Sequence, residues 1–194
     1  MVKLYRNCCF FLVVFFSFHS FSDQVSDKPV VKLNLPSFFK ALDDSITLNN
    51  RSVFYNQQME TRMLESFDNR FIIVHFWASW CIECRDELIA LNKLQKDFRK
   101  KALLVIAISE DFKPAKDLDE FFTKHKIEYL DIYLDKGNKI YRDLAINYLP
   151  VTYLMDFNGN IIAQSKQGVV INWDDPDLIK FLDWKVNDYQ LLPP

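Results

Sequence analysis

The sequence has little glycine and no excess of basic charge. Only 3 of its 194 residues are glycine, and 24 Lys+Arg stand against 26 Asp+Glu, a formal net charge of −2. A protein that binds nucleic acid through its phosphates is expected to carry a basic excess or stripe, so we predict no nucleic-acid partner. Hydrophobic residues make up 49% of the chain and charged residues 26%, which is ordinary globular usage and excludes wholesale disorder.

The first 22 residues are predicted to be a signal peptide. Lys3 and Arg6 precede an apolar run, residues 8–18, which is shorter than the roughly 17–25 residues of a spanning helix. Ser20 and Ser22 place small side chains where cleavage after Ser22 requires them. A retained N-terminal membrane anchor is the alternative. In both cases the rest of the chain is expected in, or facing, the periplasm.

Cysteine is scarce as well, and its four copies form two close pairs: Cys8 with Cys9, and Cys81 with Cys84. The first pair leaves with the predicted signal peptide. The mature chain then keeps two cysteines in an oxidising compartment.

The remaining chain is predicted to consist of an N-terminal extension, residues 23–70, and a domain over residues 71–194. Apolar runs and helical spacing predict an α/β fold with a mixed sheet and helices on both of its faces. The predicted helices span residues 57–67, 82–100, 115–125, 139–146 and 174–186. The predicted strands span residues 71–77, 102–108, 129–134, 151–156 and 161–164, and the last two form a hairpin.

The strongest chemical signal is the pair Cys81 and Cys84, located where a buried strand turns into a helix. In the first turn of a helix, residues i and i+3 have Cα atoms about 5–6 Å apart, which is inside the range of a disulfide. The helix N-terminus favours a thiolate at Cys81, whereas the negative charge of Glu83 opposes it. We therefore expect a thiolate less stabilised than in a strong oxidant, which favours a reductant.

Structural roles and metal binding compete with this redox interpretation. A structural disulfide that closes so short a loop constrains the unfolded chain little. Structural zinc usually needs four ligands, and the mature chain offers only His75 and His125 beside the two cysteines. Copper held by the two thiolates stays open, although no methionine or histidine cluster accompanies them. No cofactor is predicted.

Two segments resemble a known family. Residues 76–88, with the motif Trp80-Cys81-Ile82-Glu83-Cys84, are similar to the active-site segment of the TlpA/ResA-like thiol-disulfide oxidoreductases, an exported branch of the thioredoxin superfamily. Residues 149–161 resemble the family's second motif, and residues 108–111 and 168–173 fall where the family has comparable elements. The resemblance covers about residues 71–182 and implies a thioredoxin-like fold.

The resemblance also implies roles for individual residues. Cys81 corresponds to the attacking thiolate and Cys84 to the resolving thiol, and the two form a disulfide in the oxidised protein. Pro150 corresponds to the family's cis-proline, which exposes the neighbouring backbone to an incoming substrate strand. An ordinary turn proline is the alternative. The predicted substrate-binding residues are Trp80, Ile82 and Leu149.

Two more residues are predicted to act beside the cysteines. Glu87 corresponds to an acid that the family places near its dithiol, and an exposed, solvated carboxylate is the alternative. His75 stands where this branch often has asparagine; the hypothesis is that it lies beneath Cys84 and accepts its proton, which needs a pKa near ambient pH. The alternative is a neutral core histidine satisfied by one backbone hydrogen bond. Ile89 replaces a proline that kinks the family's helix, so a straighter helix is expected.

Taken with the resemblance, the sequence predicts an exported enzyme that reduces disulfides in other exported proteins. The resemblance implies a membrane dithiol as electron donor and apocytochrome c as the family's commonest substrate. The alternative is a binding protein. It would be either a copper-binding chaperone or a redox-dependent module that binds proteins at Pro150 without turnover.

Overall fold

One mixed β-sheet of eight strands organises the computed structural model, which describes residues 35–42, 52–67 and 69–190. These residues belong to one compact unit, Leu33–Pro194. The predicted signal peptide, residues 1–22, with Cys8 and Cys9, lies outside the described residues.

The strands of this sheet are β1 (Phe39–Ala41), β2 (Val53–Asn56), β3 (Thr61–Met63), β4 (Phe71–Trp77), β5 (Leu103–Ser109), β6 (Tyr133–Leu134), β7 (Val151–Met155) and β8 (Ile161–Ser165). Their order across the sheet is β1-β8-β7-β4-β5-β6-β2-β3. The central strand β4 runs parallel to β5 and antiparallel to β7. The parallel strands β4 and β5 need a helical crossover between them. Strands β7 and β8 are antiparallel and form a hairpin.

The helices are α1 (Ile82–Phe98), α2 (Ala115–His125), α3 (Lys139–Asp143) and α4 (Pro176–Gln190), with a 3₁₀ helix at Leu64–Phe67. In the described part of the chain, every helix is too short or too polar to cross a membrane.

The side chains of β4 alternate between two hydrophobic cores because successive residues of a strand point to opposite faces. All seven residues of β4 are buried. One core receives Phe71, Ile73 and Trp77, together with apolar residues of α1, α2 and α4. The other core contains Ile72, Val74 and Phe76, with Leu64 of the 3₁₀ helix and Ile140 of α3. The predicted fold, a mixed sheet with helices on both faces, is thus confirmed.

The helix predicted over residues 57–67 is wrong. This segment closes the β2–β3 hairpin, and helical turns appear only in the 3₁₀ helix. The Asn56 side chain explains the tight turn, since its Oδ1 accepts hydrogen bonds from the N–H groups of Gln58 (3.1 Å) and Glu60 (2.8 Å). Strand β2 then pairs with β6, more than 70 residues away. This hairpin and β1 fall in the predicted N-terminal extension and are hydrogen-bonded into the common sheet.

Candidate functional site

The two cysteines lie at the start of α1, and Cys81 is four residues after the end of β4. Cys81 precedes the first helical residue, and its Sγ accepts a hydrogen bond from the N–H of Cys84 (3.2 Å). The two sulfurs form a disulfide with a Cα–Cα distance of 5.2 Å. Cys81 is 6% exposed and Cys84 is fully buried. An incoming thiol or disulfide therefore reaches the sulfur of Cys81 first.

Two large apolar side chains flank Cys81 on the protein surface. Trp80 is 70% exposed and Ile82 is 66% exposed. Most residues of this size are buried in a folded domain, and neighbouring exposed ones are typical of a binding surface.

The second predicted motif lies at the same end of the sheet as the cysteines. The Leu149–Pro150 peptide bond is cis, and β7 begins at the next residue, Val151. Val151 pairs with Phe76, the penultimate residue of β4. Because β4 and β7 are antiparallel, the start of β7 lies beside the end of β4, from which the chain continues to Cys81.

Glu87 is buried in α1, one turn after Cys84, rather than exposed. Its Oε1 accepts a hydrogen bond from the Ile171 N–H (2.9 Å), and its Oε2 accepts one from Trp173 Nε1 (3.3 Å). Burial raises the pKa of Glu87 to about 7, although both hydrogen bonds oppose that shift. The carboxyl group therefore exists in both protonation states near neutral pH. The alternative of a solvated, exposed carboxylate is wrong.

His75 lies beneath α1, between Ile73 and Trp77 on the α1 side of β4. Its Nδ1 is hydrogen-bonded to Thr152 Oγ1 (2.9 Å), on the paired residue of β7. Burial lowers the pKa of His75 to about 3, so the ring is neutral at neutral pH. This value conflicts with the hypothesis of a histidine proton acceptor, which needs a pKa near ambient pH. The alternative of a neutral core histidine fits better, but its partner is a side-chain hydroxyl and not a backbone group.

A buried aspartate holds the loop that leads to the cysteines. Asp111, just after β5, accepts hydrogen bonds from the Ser79 N–H (2.7 Å), the Ser79 hydroxyl (2.8 Å) and the Ser109 hydroxyl (2.9 Å). Lys113 also donates to the Ser79 hydroxyl (3.0 Å). Ser79 is two residues before Cys81, so these contacts fix the approach of the chain to the disulfide.

Within the described residues, no group of three or more His, Cys, Asp or Glu side chains is arranged to hold a metal ion.

The family model of the AhpC/TSA family matches residues 39–164, which is more than half of the chain. The chain belongs to the AhpC/TSA family. This match includes every strand from β1 to β7 and both predicted motifs.

Two individual relatives have more specific names than the family. The chain is 25% identical over 103 residues to the thiol-disulfide oxidoreductase ResA of Bacillus thuringiensis, which covers 53% of this chain and 58% of that protein. It is 30% identical over 103 residues to the thioredoxin-like protein YneN of Bacillus subtilis, covering 53% and 59% of the two chains. The chain thus spans about three fifths of the length of these relatives. The TlpA/ResA-like resemblance within the thioredoxin superfamily is confirmed.

A solved structure shows the same fold. The thioredoxin domain of a thiol-disulfide oxidoreductase from Bacteroides vulgatus superposes with a TM-score of 0.58 at 22% sequence identity, covering 70% of this chain and 93% of that domain. The predicted thioredoxin-like fold of this AhpC/TSA-family chain is confirmed by that match.

Sequence reasoning missed several contacts around the cysteines of this AhpC/TSA-family chain. The family resemblance includes residues 108–111 and 168–173 but assigns no role to them. In the structure the first segment supplies Asp111 to Ser79, and the second supplies the donors to Glu87. The sequence did contain one chemical signal for these contacts. If the acid Glu87 is buried, it needs hydrogen-bond donors, and the segments with a family counterpart are the first candidates to supply them.

Proposed function

We propose that this AhpC/TSA-family chain is a thiol-disulfide oxidoreductase that reduces protein disulfides through Cys81 and Cys84. One observation carries the proposal: the two cysteines pair at the start of α1, and Cys81 is slightly exposed (6%) whereas Cys84 is fully buried. A purely structural disulfide over so short a loop would add little stability. The names of the ResA relatives support the same reaction class.

The proposed reaction moves two electrons from the dithiol to the substrate. The Cys81 thiolate attacks one sulfur of the substrate disulfide, forming a Cys81–substrate S–S bond and expelling the other substrate sulfur as a thiolate. Cys84 then loses its proton and attacks Cys81 Sγ, which forms the Cys81–Cys84 disulfide and releases the second substrate thiol. The substrate disulfide is reduced and the dithiol is oxidised.

We assign the acceptance of the Cys84 proton to Glu87. The two residues are three positions apart on the buried face of α1, and such pairs have Cβ atoms about 5–6 Å apart. A carboxyl with a pKa of about 7 is ionised in a large fraction of molecules at neutral pH and can take up a proton there. His75, whose Nδ1 lies 3.8 Å from Glu87 Oε2, is neutral and lacks the pKa of an acceptor.

The substrate is proposed to bind as an extended segment over Cys81. Trp80 and Ile82 offer apolar surface on each side of the sulfur. The cis peptide at Leu149–Pro150 leaves the Leu149 backbone at the same end of the sheet, where a substrate strand can pair with it.

The location of the protein, its substrates and its electron donor are also proposed. We infer export through the predicted signal peptide, residues 1–22, followed by the extension 23–70 and the domain 71–194. The substrates would be exported proteins with disulfides, such as apocytochrome c, and a membrane dithiol would reduce the Cys81–Cys84 disulfide again. These assignments follow the family resemblance and the pattern of the N-terminal residues.

The experiment is reduction of insulin by dithiothreitol with catalytic amounts of the purified protein. The wild type is expected to accelerate reduction, and Cys81→Ser is expected to abolish the acceleration. A wild type without acceleration, together with stoichiometric copper(I) binding that needs both cysteines, would replace the oxidoreductase by the copper-binding chaperone. Asp97→Ala, at an exposed acid of α1, serves as a control that keeps both sulfurs.

A further inference from the structure

A groove lies between the β2–β3 hairpin and the loop that joins β5 to α2. It has a volume of about 290 Å³. Met59 of the hairpin and Phe112 of the loop line it, together with Leu134 at the end of β6. Phe112 is 89% exposed and Met59 is 46% exposed, so both apolar side chains face water in the described structure.

Both walls of the groove are held in place. The residues on each side of Phe112, Asp111 and Lys113, contact Ser79 through the hydrogen bonds given above. Met59 has a positive φ of 62°, a backbone conformation that is unfavourable for a residue with a long side chain. The Met59 N–H donates to the Asn56 carbonyl (2.9 Å), which helps to hold it there. This conformation belongs to the turn that Asn56 closes, and the turn sets the position of Met59.

The groove is close to the proposed reaction centre. Lys113 Nζ lies 3.0 Å from the Ser79 hydroxyl, and Ser79 is two residues from Cys81. Two consecutive Cα–Cα steps span at most about 7.6 Å. One side-chain hydrogen bond thus joins the groove lining to the loop before Cys81, so a polypeptide that extends from Cys81 past Ser79 can reach the groove.

The charge of the groove indicates the chemistry of its occupant. Lys113 and Lys136 are among its lining residues; Lys113 Nζ donates to the Ser79 hydroxyl, and Lys136 Nζ lies 6.0 Å from the centre of the Tyr55 ring. Among its described lining residues, Asp111 alone carries a carboxylate, and that group is buried and accepts three hydrogen bonds. A lining with exposed apolar side chains and two lysines suits an apolar side chain that is followed by an acidic residue.

We propose that this groove is a second docking site for the polypeptide whose disulfide is reduced. It takes an aromatic or aliphatic side chain adjacent to an acidic residue, a few positions from the reacting cysteine of that polypeptide. Trp80 and Ile82 contact the reacting segment, whereas Phe112, Met59 and Lys136 select which segments bind. The occupant rests on the proposed function, because it is the substrate of that reaction.

Binding of cysteine-free peptides to the oxidised protein tests the groove separately from the chemistry. The probe is a fluorescein-labelled ten-residue peptide with Phe-Glu-Glu three positions from a serine that replaces the cysteine. The matched peptides carry Phe-Lys-Lys or Ala-Glu-Glu, and fluorescence anisotropy gives the Kd. The wild type is expected to prefer the Phe-Glu-Glu peptide over both.

Two groove variants and one control give the expected changes. Phe112→Ala should weaken binding of the Phe-Glu-Glu peptide by about fivefold, since truncating an aromatic anchor commonly costs at least that factor. Lys136→Glu should weaken it by about threefold and should improve binding of the Phe-Lys-Lys peptide. Lys124→Glu, on an exposed lysine of α2 outside the groove lining, should leave both Kd values unchanged.

Equal affinity for the three peptides, or an unchanged Kd in Phe112→Ala, would overturn the groove assignment. A dimer in sedimentation that Phe112→Ala abolishes would also overturn it, in favour of a second copy of this chain. Selective binding without any reduction of the corresponding disulfide peptide would contradict the proposed function instead. Failure of the proposed function is thereby distinguishable from failure of the groove assignment.

Discussion

Oε2 of Glu87 lies 3.8 Å from Nδ1 of His75, and both side chains are buried beneath the first turns of α1. Burial moves the two pKa values in opposite directions, that of Glu87 up to about 7 and that of His75 down to about 3. At neutral pH the histidine is therefore neutral and the carboxyl is near its midpoint. These pKa values favour Glu87 over His75 as the proposed acceptor of the Cys84 proton.

Glu87 makes the stability of the protein depend on pH. Its pKa is about 7 in the folded state and near 4.5 when unfolded, so the folded state binds its proton more tightly. This contribution is fully present below pH 4.5 and is lost as pH rises to 7, about 3 kcal/mol in all. Urea unfolding of the oxidised protein between pH 4.5 and 7.5, compared with Glu87→Gln, measures it. A stability difference between the two proteins that stays constant across this range would contradict the assignment.

Glu87 should also control the second step of disulfide reduction. In a single-turnover experiment, the decay of the Cys81 mixed disulfide should accelerate as pH rises through about 7, because the carboxylate form accepts the Cys84 proton. Glu87→Gln should slow the decay at pH 7 by about 10²-fold, the lower end of general-base contributions, and remove this inflection.

The matched variant is His75→Asn, which is expected to change the rate at pH 7 by much less than Glu87→Gln does. If His75→Asn slows the decay and Glu87→Gln does not, the proton acceptor is the histidine after all.

Asp111 should be needed for the stability of the cysteine loop. Asp111→Ala leaves the Ser79 N–H and the Ser109 hydroxyl without their acceptor, and an unsatisfied buried donor costs about 1–3 kcal/mol. We expect a loss of roughly 2–4 kcal/mol in the free energy of unfolding. Asp97→Ala, an exposed acid of α1, is the control and should change it by less than about 0.5 kcal/mol. Equal effects of the two substitutions would contradict the role of Asp111.

Glu83 should make the disulfide less oxidising. Its charge lies between the two cysteines on the exposed side of α1 and opposes the Cys81 thiolate. Removing it in Glu83→Gln should stabilise the reduced protein by a few tenths to 1 kcal/mol and raise the reduction potential by about 5–20 mV. Equilibration with glutathione buffers measures both proteins. A wild-type potential above about −150 mV would overturn the assignment as a reductant, because dedicated oxidants lie in that region.

The sequence predicted best where one local signal was strong and unopposed. The run of buried residues in β4 and the three-to-four-residue spacing of apolar residues in α1 predict these elements from local sequence alone. Ile89 in place of a proline is consistent with an α1 that continues to Phe98. The β7–β8 hairpin followed from its Asn-Gly step, and Gly159 adopts the positive φ of 81° that this turn requires.

Prediction failed where pairing partners lie far away along the chain. Met59, Met63, Leu64 and Phe67 repeat at helical intervals, but the segment is a hairpin because β2 pairs with β6 and Asn56 closes the turn. The burial of Glu87 depends on donors from residues 171 and 173, more than 80 positions later. No local pattern around Glu87 carries that information, so the sequence leaves an exposed carboxylate as an alternative.

Trapping a mixed disulfide tests the central proposal most directly. Reduced Cys84→Ser protein is mixed with an excess of a disulfide-bonded peptide, and the products are resolved by mass spectrometry without reductant. The account predicts one peptide per protein, linked to Cys81. The wild type should instead release reduced peptide and form the Cys81–Cys84 disulfide. The proposal would be contradicted if Cys84→Ser formed no adduct under conditions in which dithiothreitol reduces the peptide.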